Sequence, residues 1–388
     1  MHYLIINISL LFFSFIRYNK AIGFIIFLLL VYYLCLMYPG SNDFVGYFAN
    51  YDCLINEICN DDNVKFEKGY ELIVMATGWG GYQFLLFSVG LINIFSIYFF
   101  TRKFERRSFF FLAFMGVLAW TMYTEALRQS LAFSLLIIGV SFLIEGSIKK
   151  YVVFVFLASF FHISAIVSII VLINILGKKF LKILVSILLL SVFLFAYNPV
   201  NFIEIIIAFL PKESIGYEKL LFYITSDIYK PVFSFGIGAF PDVLLIGYLL
   251  LNLKQARLEY RYFWIYGGIL LFVIFSIFAG KFMPVFTRLG WYGLPFLAIF
   301  MYSSIWRSKL MPNFSMKYRN INILLIYLWI FSQMLRPFVY DHSNFNIFKQ
   351  ELFLQRIDFV DDAGMRSAAE QKCKDLISLG YDELCYLQ

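Results

Sequence analysis

Charge is what this sequence has least of. Asp, Glu, Lys and Arg make up 15% of its 388 residues, where a soluble globular domain carries about 25%. A soluble chain of this length would need far more polar cover, so a bilayer is its natural solvent. Histidine is scarcer still: His2, His162 and His342 lie too far apart in sequence for a zinc spacing, and no other metal-ligand cluster stands out, so neither a metal nor a cofactor is expected. No Walker loop and no dinucleotide fingerprint is present, which argues against an ATP-driven pump on this chain. A basic patch interleaved with aromatics is also missing, so the net charge of +7 does not point to nucleic acid. No small-residue cleavage site follows the apolar residues 3–16; Arg17 and Lys20 come instead, and a cleaved signal peptide is not expected.

What the chain does have is apolar surface. It is 61% hydrophobic, with 48 Phe and 27 Tyr. Phe suits lipid-facing positions and Tyr the headgroup level. About 20 apolar residues cross a hydrocarbon core, and candidate spans fall at 3–16, 21–38, 82–100, 109–123, 126–144, 183–198, 233–253, 262–279, 284–305 and 320–340. Residues 199–210 are too short to cross and read as interfacial. The expected fold is all-α, a polytopic membrane helix bundle of about 10–12 transmembrane helices.

Basic residues in short loops set orientation. The loops 17–20, 101–108, 145–150, 177–182, 253–261 and 306–319 are all basic and are assigned to the cytoplasm. The loops 39–81 and 211–231 are then external, as is a tail 341–388, which makes residues 1–340 a membrane domain and 341–388 a small external cap. Within the tail, Ala363–Leu379 has helical periodicity and Gly380 is a helix stop. Cys53, Cys59, Cys373 and Cys385 all fall in segments assigned outside, where disulfides can form. One conflict remains. Both flanks of the apolar run 151–176 are basic. A re-entrant hairpin turning near His162 and Ser164 would satisfy both flanks; a long tilted span is the other solution.

Ionisable residues in or beside apolar spans are functional candidates. Arg128 opens the span 126–144, Arg288 lies early in 284–305 with Lys281 just before it, Arg336 ends the last span, and His162 interrupts an apolar run. An Arg near a span end also snorkels to lipid phosphate, and a lone intramembrane His also serves as a hydrogen-bonded packing residue. Several cations on the outer side, where positive residues are depleted, point to a site for an anionic headgroup. Arg offers a rigid fork for phosphate oxygens. The first external loop supplies Asp43 and Glu67 as candidate general bases for a sugar hydroxyl. Tyr47, Tyr70, Trp79 and Tyr82 could stack on sugar faces, though Trp79 and Tyr82 fit an interfacial aromatic belt better.

These elements, in their order, resemble the EpsG-like branch of the Wzy-type polysaccharide polymerases, the family that includes O-antigen polymerases. They are Ser41-Asn42-Asp43-Phe44-Val45-Gly46-Tyr47, Glu67-Lys68-Gly69-Tyr70, Arg128-Gln129 before a small-residue helix, Ala158-Ser159-Phe160-Phe161-His162-Ile163-Ser164-Ala165, and Arg288 opening a late span. The resemblance covers about residues 20–340. It implies a bundle of the GT-C type and a metal-independent glycosyltransferase of the bacterial inner membrane working at its outer face. The implied substrates are oligosaccharide units on undecaprenyl diphosphate, with membrane lipid as surroundings and a chain-length regulator protein as a candidate partner. Arg128, Arg288, Arg336 and Lys281 would bind diphosphate. His162, Asp43 or Glu67 would serve as base, and Tyr47, Tyr70 and Gln129 would face glycan. A lipid-linked oligosaccharide flippase and a membrane O-acyltransferase are the competing readings. Two similar halves with broken helices are missing for the first, and an N-terminal block of closely spaced Arg is missing for the second.

Overall fold

The computed structural model describes residues 2–36, 43–59, 66–176, isolated positions from 186 to 197, 198–209, 211–212, 215–225, 236–253, 262–306, positions 308, 310, 311 and 314, 316–339, 362–378 and 385. Along the chain run α1 (His2–Phe15), α2 (Lys20–Leu34), α3 (Phe44–Asn56), α4 (Lys68–Thr77), α5 (Gly81–Thr101), α6 (Arg107–Leu118), α7 (Met122–Glu125), α8 (Leu127–Ile144) and α9 (Ile148–Phe161). A 3-10 segment, Ile163–Leu176, leads to α10 (Pro199–Ala208), α11 (Ile215–Thr225), α12 (Phe240–Asn252), α13 (Trp264–Phe272), α14 (Pro284–Gly290), α15 (Leu294–Ile305), α16 (Arg319–Val339) and α17 (Asp362–Ser378). The expected all-α bundle is borne out: among the described residues there is no strand.

Helices alone satisfy their own backbone in lipid. Among the described residues, Lys68–Thr101, Leu127–Ile144, Trp264–Lys281 and Arg319–Phe338 are long and apolar enough to cross a membrane, and shorter apolar helices accompany them. Polarity runs inside-out, as a bilayer demands. Phe12, Phe15, Phe24 and Leu28 are exposed, while Asn93, Ser96, Ser130 and Ser134 are buried. These four link α5 to α8: Ser134 Oγ donates to Asn93 Oδ1 at 2.7 Å, and Asn93 Nδ2 donates to Ser130 Oγ at 3.2 Å. Interhelical hydrogen bonds of this kind replace the hydrophobic drive that lipid removes.

The chain divides into two compact units, residues 1–166 with 330–388 and residues 167–329. In the first, the described residues of the segment expected as an external loop, 39–81, form α3, α4 and a 3-10 turn at Gly78–Gly80. Their aromatic residues Phe44, Tyr47, Phe48, Tyr51 and Tyr70 bury one cluster with Tyr82 of α5. Tyr82 is 1% exposed and so belongs to this core and not to an interfacial belt, whereas Trp79 is 78% exposed. The tail helix, predicted at 363–379, forms at Asp362–Ser378 and adds Met365 and Ala369 to the same cluster. Gly380 lies outside the described residues. Disulfides join Cys53 to Cys59 and Cys373 to Cys385, and Cys35 is a buried free thiol.

In the second unit, the expected span 262–279 forms α13, a π-helical turn at Val273–Phe278 and a 3-10 turn at Ala279–Lys281. The expected span 284–305 is broken between α14 and α15 by a 3-10 turn at Trp291–Gly293. Glycine explains the close packing of α13 on this region: a Cβ on Gly293 would lie 2.4 Å from the carbonyl oxygen of Gly268. Polar pairs again sit inside, Tyr248 on Ser304 at 2.9 Å and Asn252 on Asn322 at 2.7 Å. The expected span 183–198 and the basic flank 177–182 lie mostly outside the described residues.

Candidate functional site

Two helices of similar length carry the chain away and back. α8 ends at Ile144, Gly146 turns with φ +87°, and α9 returns along α8, with Phe142 against Phe154 at 5.4 Å. Such an antiparallel pair returns the chain to its starting level. Arg128, at the start of α8, and His162, just past the end of α9, therefore come to the same level although they are far apart in sequence. α9 stops at Phe161, and His162 adopts an extended backbone with φ −154° and ψ 113°. The break falls where the turn was expected, and it frees the imidazole from the helix face.

Glu67 joins the two. It sits at the N-cap of α4 with extended backbone, and its side chain makes no capping bond to its own helix. One carboxylate oxygen accepts from Arg128 Nη1. The other lies 3.1 Å from His162 Nδ1 and 3.4 Å from the backbone nitrogen of Ile163. All three side chains keep a little surface: 16% for Arg128 and Glu67, 18% for His162. With Nδ1–H donating to the carboxylate, Nε2 of His162 becomes the proton-accepting nitrogen.

Rings wall the cation. The Arg128 guanidinium carbon lies 3.9 Å from the centroid of Phe66 and 5.7 Å from that of Tyr47, whose hydroxyl also accepts a hydrogen bond from it. Tyr70 packs against both rings, at 5.5 Å and 5.4 Å, and has no exposed surface. It supports the wall from behind and presents no face to a sugar. Gly69 is required by contact: a Cβ there would lie 2.6 Å from the carbonyl oxygen of Phe160. The Glu-x-Gly-Tyr element thus reads physically as a bridging carboxylate, a close approach of α4 to the end of α9, and a backing ring. Among the described residues, Arg128 Nε is buried without a hydrogen-bond partner, which leaves a donor for an anionic oxygen.

Asp43 is at the N-cap of α3, one turn before Tyr47. Gln129 is buried in α8. Arg336 is half-buried in the last turn of α16. Arg288, half-buried in α14, and Lys281 belong to the second unit. Lys281 pairs with Asp242 of α12 at 2.6 Å, and only 9% of that carboxylate side chain is exposed. Sequence reading passed over Phe66, whose signal was only its place beside Glu67. It also passed over Asp242, whose signal was plainer: a carboxylate in an apolar span needs a cation.

No curated protein and no solved structure matches the chain. A family model described as the EpsG family matches residues 20–350, which include every residue of this site. The chain belongs to the EpsG family, with a polysaccharide-polymerase-like role in a membrane.

Proposed function

We propose that this protein joins oligosaccharide units carried on undecaprenyl diphosphate at the outer face of a bacterial inner membrane, on a bundle of the GT-C type. The observation that carries the reading is the single carboxylate, Glu67, shared between a ring-walled Arg and an oriented His. The reaction needs both partners at once. A sugar hydroxyl of one lipid-linked unit attacks the anomeric carbon of another glycan. Its proton passes to Nε2 of His162. The bond from the anomeric carbon to the diphosphate oxygen breaks, and the electron pair leaves with the lipid diphosphate. Arg128 receives that developing charge, through Nε and the nitrogen that now holds Glu67. Neither ATP nor a nucleotide sugar enters, since the leaving group stores the free energy.

Glu67 takes the orienting part in this scheme, and His162 is the base. When a diphosphate draws Arg128 away, Glu67 keeps its hold on the imidazole, and an unmatched carboxylate stabilises the imidazolium that forms. Leaving-group binding and proton removal are thereby coupled through one side chain. Asp43 stays a competing base. Arg288 and Arg336 are proposed as further diphosphate cations, while Lys281 comes with its charge already matched by Asp242. The two disulfides, both in segments assigned outside by the basic loops, support an outward-facing site. A chain-length regulator fits as a partner at that face.

Arg128→Ala in the native host tests the reading. Polymer should vanish while single glycan units persist on the carrier, and Arg128→Lys should restore little. Long polymer from Arg128→Ala at normal protein level would remove Arg128 from the mechanism. Absence of any unit at the outer face after loss of the gene would favour a flippase instead.

A further inference from the structure

The tail helix α17 lies beyond the residues matched to the family, yet it touches α3, which carries Tyr47, and the start of α5. Its first residue, Asp362, accepts from Tyr51 of α3 at 2.9 Å and from the backbone nitrogen of Tyr82 at 3.1 Å. The second contact caps α5. That helix opens at Gly80–Gly81, where no side chain can cap it and Gly81 holds φ +82°. A carboxylate 280 residues further on therefore supplies an N-cap acceptor. One turn along, Arg366 pairs at 2.5 Å with Asp52, whose side chain is 3% exposed, while the other Asp52 oxygen accepts from Asn56 at 2.7 Å.

Further contacts continue along α17. Cys373 and Leu376 pack on Val45, two residues before Tyr47. The charge of Glu125, three residues before Arg128, acts on Lys372. Burial lowers the Lys372 pKa, opposed by Asp375 and Glu125. α3 is thus gripped on both sides of Tyr47, at Val45 and at Tyr51–Asp52.

We propose that α17 is a positioning element of the site: by holding α3 to the start of α5, it sets Tyr47, and through it Phe66, around Arg128. A mere passenger would touch one surface. A general stabiliser would not concentrate its charged contacts on the segments flanking site residues. The activity readout of this inference rests on the polymerase reading; its structural readout does not.

The test compares the full-length wild type with Arg366→Glu, which sets a like charge against buried Asp52. Hydrogen exchange is read on the purified membrane protein alongside glycan turnover in membranes. Exchange in 44–56 and 66–71 should speed up about ten-fold, with the interiors of α5 and α8 unchanged. Turnover should fall about ten-fold or more, because small displacements of a positioned group are expensive. Faster exchange confined to 362–378 with unchanged turnover makes α17 a passenger and overturns the proposal. Uniformly faster exchange through the span helices makes it a general stabiliser and overturns it equally. If Arg366→Glu does not accumulate, Asp362→Asn, which keeps the size and an acceptor oxygen, is judged by the same two patterns. A wild type without polymer activity sinks the polymerase reading and leaves the exchange arm standing.

Discussion

Each of the two units sets a cation against a carboxylate, and in the first the carboxylate also holds an imidazole. In the second unit Asp242 matches Lys281. In the first, Glu67 is divided between Arg128 and the imidazole of His162, with rings around the cation. The Lys281–Asp242 pair neutralises charge in an apolar setting, and Lys281 Nζ also donates to the carbonyl oxygen of Gly238 at 3.5 Å. A shared carboxylate couples its two partners, and on the proposed mechanism it keeps the imidazole when a diphosphate draws the arginine away. On the proposed mechanism, pairs of the same charges therefore do different work in the two units.

The comparison breaks most readily at His162. His162→Ala should lower turnover by about 10²-fold or more, the usual contribution of a general base, with the protein folded and present. Glu67→Gln should lose nearly as much, because the amide still bridges but no longer stabilises an imidazolium. Normal polymer from both variants would make the shared carboxylate a packing feature and erase the distinction between the units. A smaller effect, and of another kind, is expected at Lys281. Lys281→Ala strands a buried carboxylate and should lower stability by about 3–5 kcal/mol, read as thermal unfolding in detergent. Adding Asp242→Asn should recover most of that loss. Equal damage from the single and double variants would show that Lys281 acts beyond pairing.

How much of this could be read from the chain is clearest at those same residues. Apolar runs of span length located most helices, because lipid leaves a helix few other places to be. Arg128 and His162 were visible as polar residues in apolar surroundings, and the near-equal lengths of α8 and α9 about Gly146 contained their meeting. Glu67 was legible only as one acid among several in a hydrated loop. Its role depends on an extended backbone at a helix cap that aims the side chain away from its own helix, and composition carries no trace of that. The burial of Tyr70 and Tyr82 was hidden for a related reason: a tyrosine-rich segment beside the membrane looks alike whether its rings meet lipid headgroups or one another.

The smallest effect belongs to a pair of the same chemistry placed in water. Lys103 and Glu145 meet beside the cytoplasm-assigned loops, with side chains 22% and 46% exposed. The hydrogen bond from Lys103 holds the Glu145 carboxyl below its ordinary value, burial opposes slightly, and the charge of Lys103 adds to the lowering. A depressed carboxylate stabilises the fold above its unfolded pKa and loses that contribution as pH falls through its folded one. Solvent screening keeps the contribution small, so Lys103→Ala should change stability by under about 1 kcal/mol, more visibly at neutral than at acid pH. A loss as large as that at Lys281 would mean that exposure is not what separates these pairs.

Because α17 is translated after every other element of the site, its contacts also impose an order in time. Domains form as the chain emerges, so the membrane helices can insert, and the α8–α9 hairpin close, while Tyr82 still lacks its cap and Asp52 its arginine. On the proposed role of α17, the nascent protein stays inert at that stage. It becomes competent only when α17 has docked on α3 and Cys373 has found Cys385. On that proposal, a chain that carries the membrane helices but not α17 would occupy the membrane without making polymer.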